Sequence, residues 1–273
     1  LGGSKCGLVI VDDFSRYTWV FFLKHKSDTF EMFQKFAKQI QNEKGFSIVS
    51  LRTDHGTEFD NALFISFCEE HRINHNFSAP YIPQQNGVVE RKNRIIQEIT
   101  RSMLNESGIA KHFWAEAVAT ACYIMNRVYI RPHTTKTSYE LFRGRKPSVS
   151  YFHVFGCTCF VKKNAHNLGK FDERSDEAIF LGYSGNSKAY RVFNKTTKIV
   201  EESINVRFID VKDDFDDDDV LTIENKTNDV NEKKVDTADI HISANLQESA
   251  EAEGKAEDKA EGKAVDKAEG KAE

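Results

Sequence analysis

No stretch of this 273-residue sequence holds 18 consecutive apolar residues, which argues against an ordinary membrane-spanning helix. No basic-then-apolar leader opens it either. The first residue is Leu1 rather than Met, so the chain reads as a piece of a longer product. A paired cysteine framework is also lacking. Cys6, Cys68, Cys122, Cys157 and Cys159 are odd in number, scattered and flanked by apolar residues, so free thiols are expected and disulfides are not. No Cys/His group has zinc-ligand spacing, and Cys157 and Cys159 read as packing residues on a strand. Proline is scarce, four in all, but Pro80 and Pro83 stand three apart and forbid helix and central strand between them. A compelling basic localisation cluster is missing as well.

What is present is enough for a sizeable core, with 40% hydrophobic residues and 21 Phe. The net charge of −4 hides two parts of opposite sign. Residues 1–212 hold 30 Lys and Arg against 22 Asp and Glu, whereas residues 213–273 hold 8 against 20. A mildly basic body suits a polyanionic partner. An acidic tail of this kind is expected to be solvated and disordered. Its last part, residues 252–273, repeats an eight-residue unit (AEGKAEDK, AEGKAVDK, AEGKAE) without large apolar residues, so it cannot pack a core.

Along the chain, residues 6–14 and 17–23 are β-branched and aromatic runs around Ser15-Arg16 and predict a hairpin. Residues 28–44 carry Phe30, Phe33, Phe36, Ala37 and Ile40 at helical spacing, with Ser27 or Asp28 as cap and Gly45 as stop. A strand from Ser47 to Arg52 leads into Thr53-Asp54-His55-Gly56. A helix from about Asn61 to Arg72 is expected to bury Leu63, Phe64, Phe67 and Cys68. Residues 73–77 read as a strand, Gln85 to Asn105 and Ala110 to Arg127 as helices. This order predicts an α/β domain with a mixed sheet over residues 1–150. Five short strand-like runs follow (154–163, 178–183, 189–193, 198–202, 204–210), which predict a small β-barrel over residues 151–212. Residues 213–273 form the acidic tail.

Two acids have settings suited to chemistry. Asp54 follows an apolar strand and precedes His55-Gly56, so its carboxylate emerges at a strand end. Glu90 lies in the first turns of a helix, 35 residues further on. At about 100° per residue, Arg94, Gln97 and Arg101 share its face, while Val88, Ile95, Ile99 and Met103 lie opposite, with Lys92 snorkelling from that apolar side. Paired carboxylates on rigid elements fit phosphodiester transfer by two divalent ions about 3.5–4 Å apart, and arginines beside them hold phosphate. Taken alone such a pair is weak evidence, because most surface acids are merely solvated. His55 reads as a turn residue beside the site and Glu58 as a solvated acid near it. His25, His71, His75 and His112 have no ligand spacing. Asn86 is either a helix cap or a DNA contact, and Tyr81 either stacks on a base or packs its loop.

The surrounding text makes the pair specific. Arg52-Thr53-Asp54-His55-Gly56-Thr57-Glu58-Phe59, then Ser78-Ala79-Pro80-Tyr81-Ile82-Pro83-Gln84-Gln85-Asn86-Gly87-Val88-Val89-Glu90-Arg91, resembles the integrase core of copia-type LTR retrotransposon Pol polyproteins. So do Val11-Asp12-Asp13-Phe14-Ser15-Arg16-Tyr17 and His112-Phe113-Trp114-Ala115-Glu116-Ala117. The resemblance covers roughly residues 1–212 and implies an RNase H-like mixed sheet flanked by helices, then a small Src-homology-3-like β-barrel. It also implies that Asp54 and Glu90 are the second and third catalytic, metal-holding acids, with Mg²⁺ or Mn²⁺ as cofactor. DNA is the implied partner, both element ends and target, contacted by Asn86, Arg91, Arg94 and Arg101; a homo-multimer and nuclear action are implied too, while the expectation of no membrane partner rests on the lack of a long apolar run. The family's first strand and its Asp would precede Leu1, so the sheet is expected to lack that strand and expose edges beside the gap. Asp12 and Asp13, 42 and 41 residues before Asp54, match family acids without a metal role. The upstream zinc module of the family is not found here. The chain alone is therefore expected to be an inactive relic or a DNA-binding module.

Overall fold

The computed structural model describes residues 3–78, 86–163, 171–209 and 238–247. Two five-stranded sheets organise them. The chain opens with β1 (Cys6–Asp12) and β2 (Thr18–Leu23), the expected antiparallel hairpin, with Val9 opposite Val20. Every residue of β1 is buried. Its alternation serves two cores at once: Cys6, Leu8 and Ile10 pack on one side, Val9 and Val11 on the other. The first side is covered by α1 (Thr29–Lys44), which buries Phe33, Phe36, Ala37 and Ile40 and stops at Gly45 in the left-handed region. Asp28 makes no side-chain cap for α1; its carboxylate accepts from the His25 N–H and closes the 3-10 turn Lys26–Asp28 instead.

Next come β3 (Ile48–Thr53), α2 (Ala62–Glu70) and β4 (Asn74–Phe77), with β3 and β4 parallel. Asn61 caps α2, its Oδ1 accepting from the N–H groups of Leu63 and Phe64. That start turns Phe64, Phe67 and Cys68 inward. Leu63 was expected among them, yet it is 62% exposed because it lies off the 64, 67, 68 arc. Then α3 (Gly87–Ser107) and α4 (Trp114–Val128) cover the second side of the first sheet, followed by the short α5 (Ser138–Arg143), which sequence periodicity did not signal.

The second sheet comprises β5 (Thr158–Lys162), β6 (Ser175–Tyr183), β7 (Tyr190–Asn194), β8 (Val200–Ser203) and β9 (Val206–Phe208), in the order β8-β7-β6-β5-β9 and antiparallel throughout. This is the antiparallel five-stranded region expected as the small barrel; among the described residues β8 and β9 are its two unpaired edges. It leans on α4: the Thr120 hydroxyl donates to the Leu181 carbonyl at 2.7 Å, and Arg191 grips Glu116 at 2.7 and 2.8 Å. Phe113, Ala117, Phe155 and Leu181 share one apolar cluster across this junction.

The main departure from expectation is β10 (Ala238–Gln247). The first sheet runs β2-β1-β10-β3-β4, so β10 takes its centre, antiparallel to β1 and parallel to β3. The expected gap with exposed edges is therefore filled, and this part of the acidic tail is strand rather than disorder. The rest of the tail, the repeats included, lies outside the described residues, as do Pro80, Tyr81 and Pro83.

Candidate active site

Asp54 stands one residue beyond β3, where Thr53 is still fully buried. The chain turns there because Phe59 is buried completely and because the Gly56 carbonyl accepts from the N–H groups of Phe59 and Asp60. Asp54 Oδ1 accepts from the Gly56 N–H at 3.0 Å. Gly56 itself sits between two carboxylates: a Cβ there would lie 2.8 Å from Glu58 Oε2 and 3.0 Å from Asp54 Oδ1. Partial burial raises the Asp54 pKa above the usual carboxylate value; the Gly56 N–H opposes this and the Glu58 charge adds to it. Glu58, read from sequence as a solvated acid, has a side chain only 10% exposed, with Lys26 Nζ at 3.8 Å. The signal for it was Gly56, the one residue able to stand between the two acids. His55 is a turn residue, stacked on Phe77 with ring centroids 4.9 Å apart.

On α3 the fully buried stripe is Val89, Asn93, Ile96 and Thr100. It lies one residue beyond the stripe expected from sequence; Val88, Ile95, Ile99 and Met103 flank it as partly buried neighbours. Lys92 is on the buried side as expected, its Nζ 4.0 Å from Met125 Sδ, and burial lowers its pKa. Glu90, Arg91, Arg94, Gln97 and Arg101 are all exposed. Asn86 precedes the helix but makes no side-chain cap, is 3% exposed, and its Oδ1 has no hydrogen-bond partner among the described residues. The cap alternative is therefore not realised at Asn86.

Asp12 and Asp13 are excluded from this site by strand direction. Asp12 pairs with Ile240, which pairs with Leu51, three residues before Asp54 and thus about 10 Å back along the strands. Both acids are also engaged. Asp12 accepts from Ser15 N–H at 2.7 Å and from the Ser15 hydroxyl, while burial raises its pKa. Asp13 accepts from His241 Nε2 at 3.1 Å and pairs with Arg16, and these partners hold its carboxyl well below the usual range.

The donors at Asp54, Glu58 and Glu90 are hard oxygens, suited to a divalent cation of the Mg²⁺ class. Among the described residues, however, no group of three or more His, Cys, Asp or Glu is placed to hold a metal ion. The donor chemistry fits, and among the described residues a complete cage is not assembled. All five cysteines are free and at most partly exposed, and burial raises the thiol pKa values of Cys68, Cys122 and Cys159 to about 11, 12 and 12. No described helix is long and apolar enough to cross a membrane.

Comparison with known proteins gives two domain matches: the integrase core domain over residues 2–83 and the retroviral polymerase SH3-like domain over residues 157–221. The chain is 38% identical over 208 residues to the retrovirus-related Pol polyprotein from transposon TNT 1-94 of Nicotiana tabacum, covering 76% of this chain and 16% of that relative. It is 33% identical over 201 residues to the Pol polyprotein from transposon RE1 of Arabidopsis thaliana, covering 74% and 14%. The chain thus spans about a sixth of these relatives. Among solved structures, the HTLV-2 integrase catalytic core domain in complex with magnesium matches 52% of this chain and 87% of its own, at 24% identity and a TM-score of 0.39. A simian T-cell lymphotropic virus intasome in complex with PP2A regulatory subunit B56 gamma matches at 18% identity and 0.41, covering 74% and 72%.

Proposed function

Because the chain belongs to the integrase family of copia-type retrotransposon Pol polyproteins, with an integrase core domain followed by a retroviral SH3-like domain, we propose that the parent protein trims and joins DNA ends by metal-dependent phosphoryl transfer. The observation that carries the reading is the pairing of two settings. Asp54 closes an apolar central-sheet strand, and α3 shows solvent one face of Glu90, Arg94, Gln97 and Arg101. In this reading Asp54 and Glu90 hold Mg²⁺ or Mn²⁺, which supplies activation of the attacking oxygen and charge neutralisation at phosphate. Arg91, Arg94 and Arg101 hold the phosphate backbone and fix its register on α3. Burial raises the Asp54 pKa, and carboxylates perturbed in this way cluster at functional sites. The parent would act in the nucleus, as a multimer on two DNA ends.

For the chain by itself a second reading is favoured by the absence of a three-ligand group among the described residues. It binds DNA without joining it. One experiment separates the two: incubation with an element-end duplex and Mg²⁺ or Mn²⁺, scored for joined product and for binding against salt. The expected outcome for this chain is binding without product, with a salt slope that falls by about one for each of Arg94→Ala and Arg101→Ala. Joined product that disappears in Asp54→Asn and in Glu90→Gln would make the chain an enzyme as it stands. Salt-insensitive binding, or none, would remove the DNA reading.

A further inference from the structure

The strand β4 is short and polar, yet it carries His75 and Phe77 two residues apart and therefore on one face. Its register sets Phe77 level with Thr53, the last residue of β3 and the neighbour of Asp54. A row of rings results. Phe64, fully buried, lies 6.2 Å from His75, His75 lies 4.2 Å from Phe77, and Phe77 lies 4.9 Å from His55, all between ring centroids. His75 is fixed in the row by Thr53, its Nε2 standing 2.9 Å from the Thr53 hydroxyl. The row starts in the core and ends on an imidazole one residue past Asp54.

That last ring is held flat. His55 and Phe77 are inclined by 13°, so Phe77 covers one face of the imidazole. The His55 side chain is nonetheless 46% exposed, and its other face carries no ring among the described residues. An ion pair does not account for the placement, because Asp60 stands 4.0 Å from Nδ1, at the outer limit of such a contact. Nor does the turn need the imidazole. Gly56 holds it, donating its N–H to Asp54 and accepting at its carbonyl from Phe59 and Asp60. A braced, solvent-facing π-surface is left beside the carboxylate.

We propose that His55, braced by Phe77, is the base-stacking residue of this site, taking the free face of an unpaired or terminal base next to the phosphate at Asp54. The proposal rests on the DNA reading above and deepens it. Scale supports the assignment. Neighbouring Cα atoms are about 3.8 Å apart, close to the roughly 3.4 Å rise of one base, so a phosphate at Asp54 brings the adjoining base to His55. Chemistry narrows the ligand further. Inside a duplex the neighbouring pairs cover both faces of a base, so it can stack on protein only at an end or once out of the helix. Stacking is also tolerant of sequence, because every base has a π-face. His55 therefore selects the state of the DNA, an open end over a closed duplex, and not its sequence.

The experiment offers the full chain two DNA duplexes, one blunt and one ending in a short unpaired stretch with 2-aminopurine as its last base. Anisotropy of a dye at the far end reads affinity, and quenching of the 2-aminopurine reads stacking. The unmodified chain should bind the open end about tenfold more tightly than the blunt one, the scale of one stacked base, and quench the probe. His55→Phe, which keeps a ring without its nitrogens, should retain both effects. His55→Ala and His55→Gln should lose both, with affinity for the blunt duplex held within about twofold. Hydrogen exchange of the Phe59 and Asp60 amides, which report the turn, should be the same in His55→Ala as in the unmodified chain. Equal loss of affinity for both duplexes in His55→Ala, collapse of its turn, or a His55→Phe variant as poor as His55→Ala would each overturn the proposal. Binding of both duplexes without preference or quenching would overturn it too and leave the DNA reading standing, whereas binding of neither would remove that reading as well.

Discussion

The two sheets are of equal size but are assembled in opposite ways. In the second sheet β5 to β8 follow one another as antiparallel neighbours, and β9 returns to the free edge of β5. The pairings among β5 to β8 close across 12 residues or fewer, and that of β9 with β5 across 43. In the first sheet, β1 and β3 meet only through β10, which comes from nearly two hundred residues further along the chain. Closing so long a loop costs only slightly more entropy than a short one, since the cost grows with the logarithm of length. It does, however, free the pairing from any local sequence signal. The second sheet is therefore specified by neighbours, and the first by a fit between distant segments.

The widest separation between the two should come from removing residues 238–273. Without β10, β1 and β3 lose their shared partner and face each other across an empty strand position. The expected cost is of the order of the whole stability of a domain, roughly 5 kcal/mol or more. Amides of β1 and β3 should lose protection while those of β5 to β8 keep theirs; removing only residues 248–273 should leave both sets unaltered. Equal protection of β1 in both deletions would mean that β10 is incidental and that the contrast between the sheets is false.

The same contrast explains what the sequence disclosed. The β1–β2 hairpin, α1 with its Gly45 stop, and the strands of the second sheet were legible because hydrophobic period and turn residues act locally. The Asp54 turn and the exposed face of α3 were legible for the same reason, aided by the motif text around them. β10 was not, because Ala-Asp-Ile-His-Ile-Ser-Ala-Asn-Leu-Gln inside an acidic tail has too few apolar residues to announce a central strand. Nor was the exposure of Leu63, which follows from the exact start of α2 at the Asn61 cap. The depth of Glu58 against Asp54 is tertiary as well, set by the bare backbone of Gly56.

A smaller effect probes how the two sheets are joined. Gly182 has φ +142, and a Cβ there would lie 2.1 Å from Thr120 Oγ1. That hydroxyl meanwhile donates to the Leu181 carbonyl, fixing β6 on α4. Gly182→Ala should cost about 3 kcal/mol from overpacking and backbone strain together, or roughly 6–12 °C in Tm for a unit of this size. Adding Thr120→Ala should recover part of the loss by removing the clash but not the strain. No change in Tm for the single variant would show that β6 and α4 are free to separate, and that the second sheet stands independently of the first.

The smallest expected effect bears on Asp54 and distinguishes a site residue from a structural one. Its folded-state pKa is raised, so its contribution favours the fold below the ordinary carboxylate value and is lost as pH rises through the folded value. At neutral pH, in chelator, ionised Asp54 is thus a modest liability beside Glu58, and Asp54→Asn, which keeps an acceptor for the Gly56 N–H, should raise Tm by a few degrees at most, on the scale of about 1 kcal/mol. Near pH 3 the two proteins should melt together. Millimolar Mg²⁺ or Mn²⁺ should then raise the Tm of the parent chain more than that of Asp54→Asn, because a cation bound only by the folded state adds stability by mass action. A variant that melts lower than the parent at pH 7 would mean that the Asp54 carboxylate supports its turn. Its place at the end of β3 would then be explained by folding, and the case for a cation there would rest on Glu90 alone.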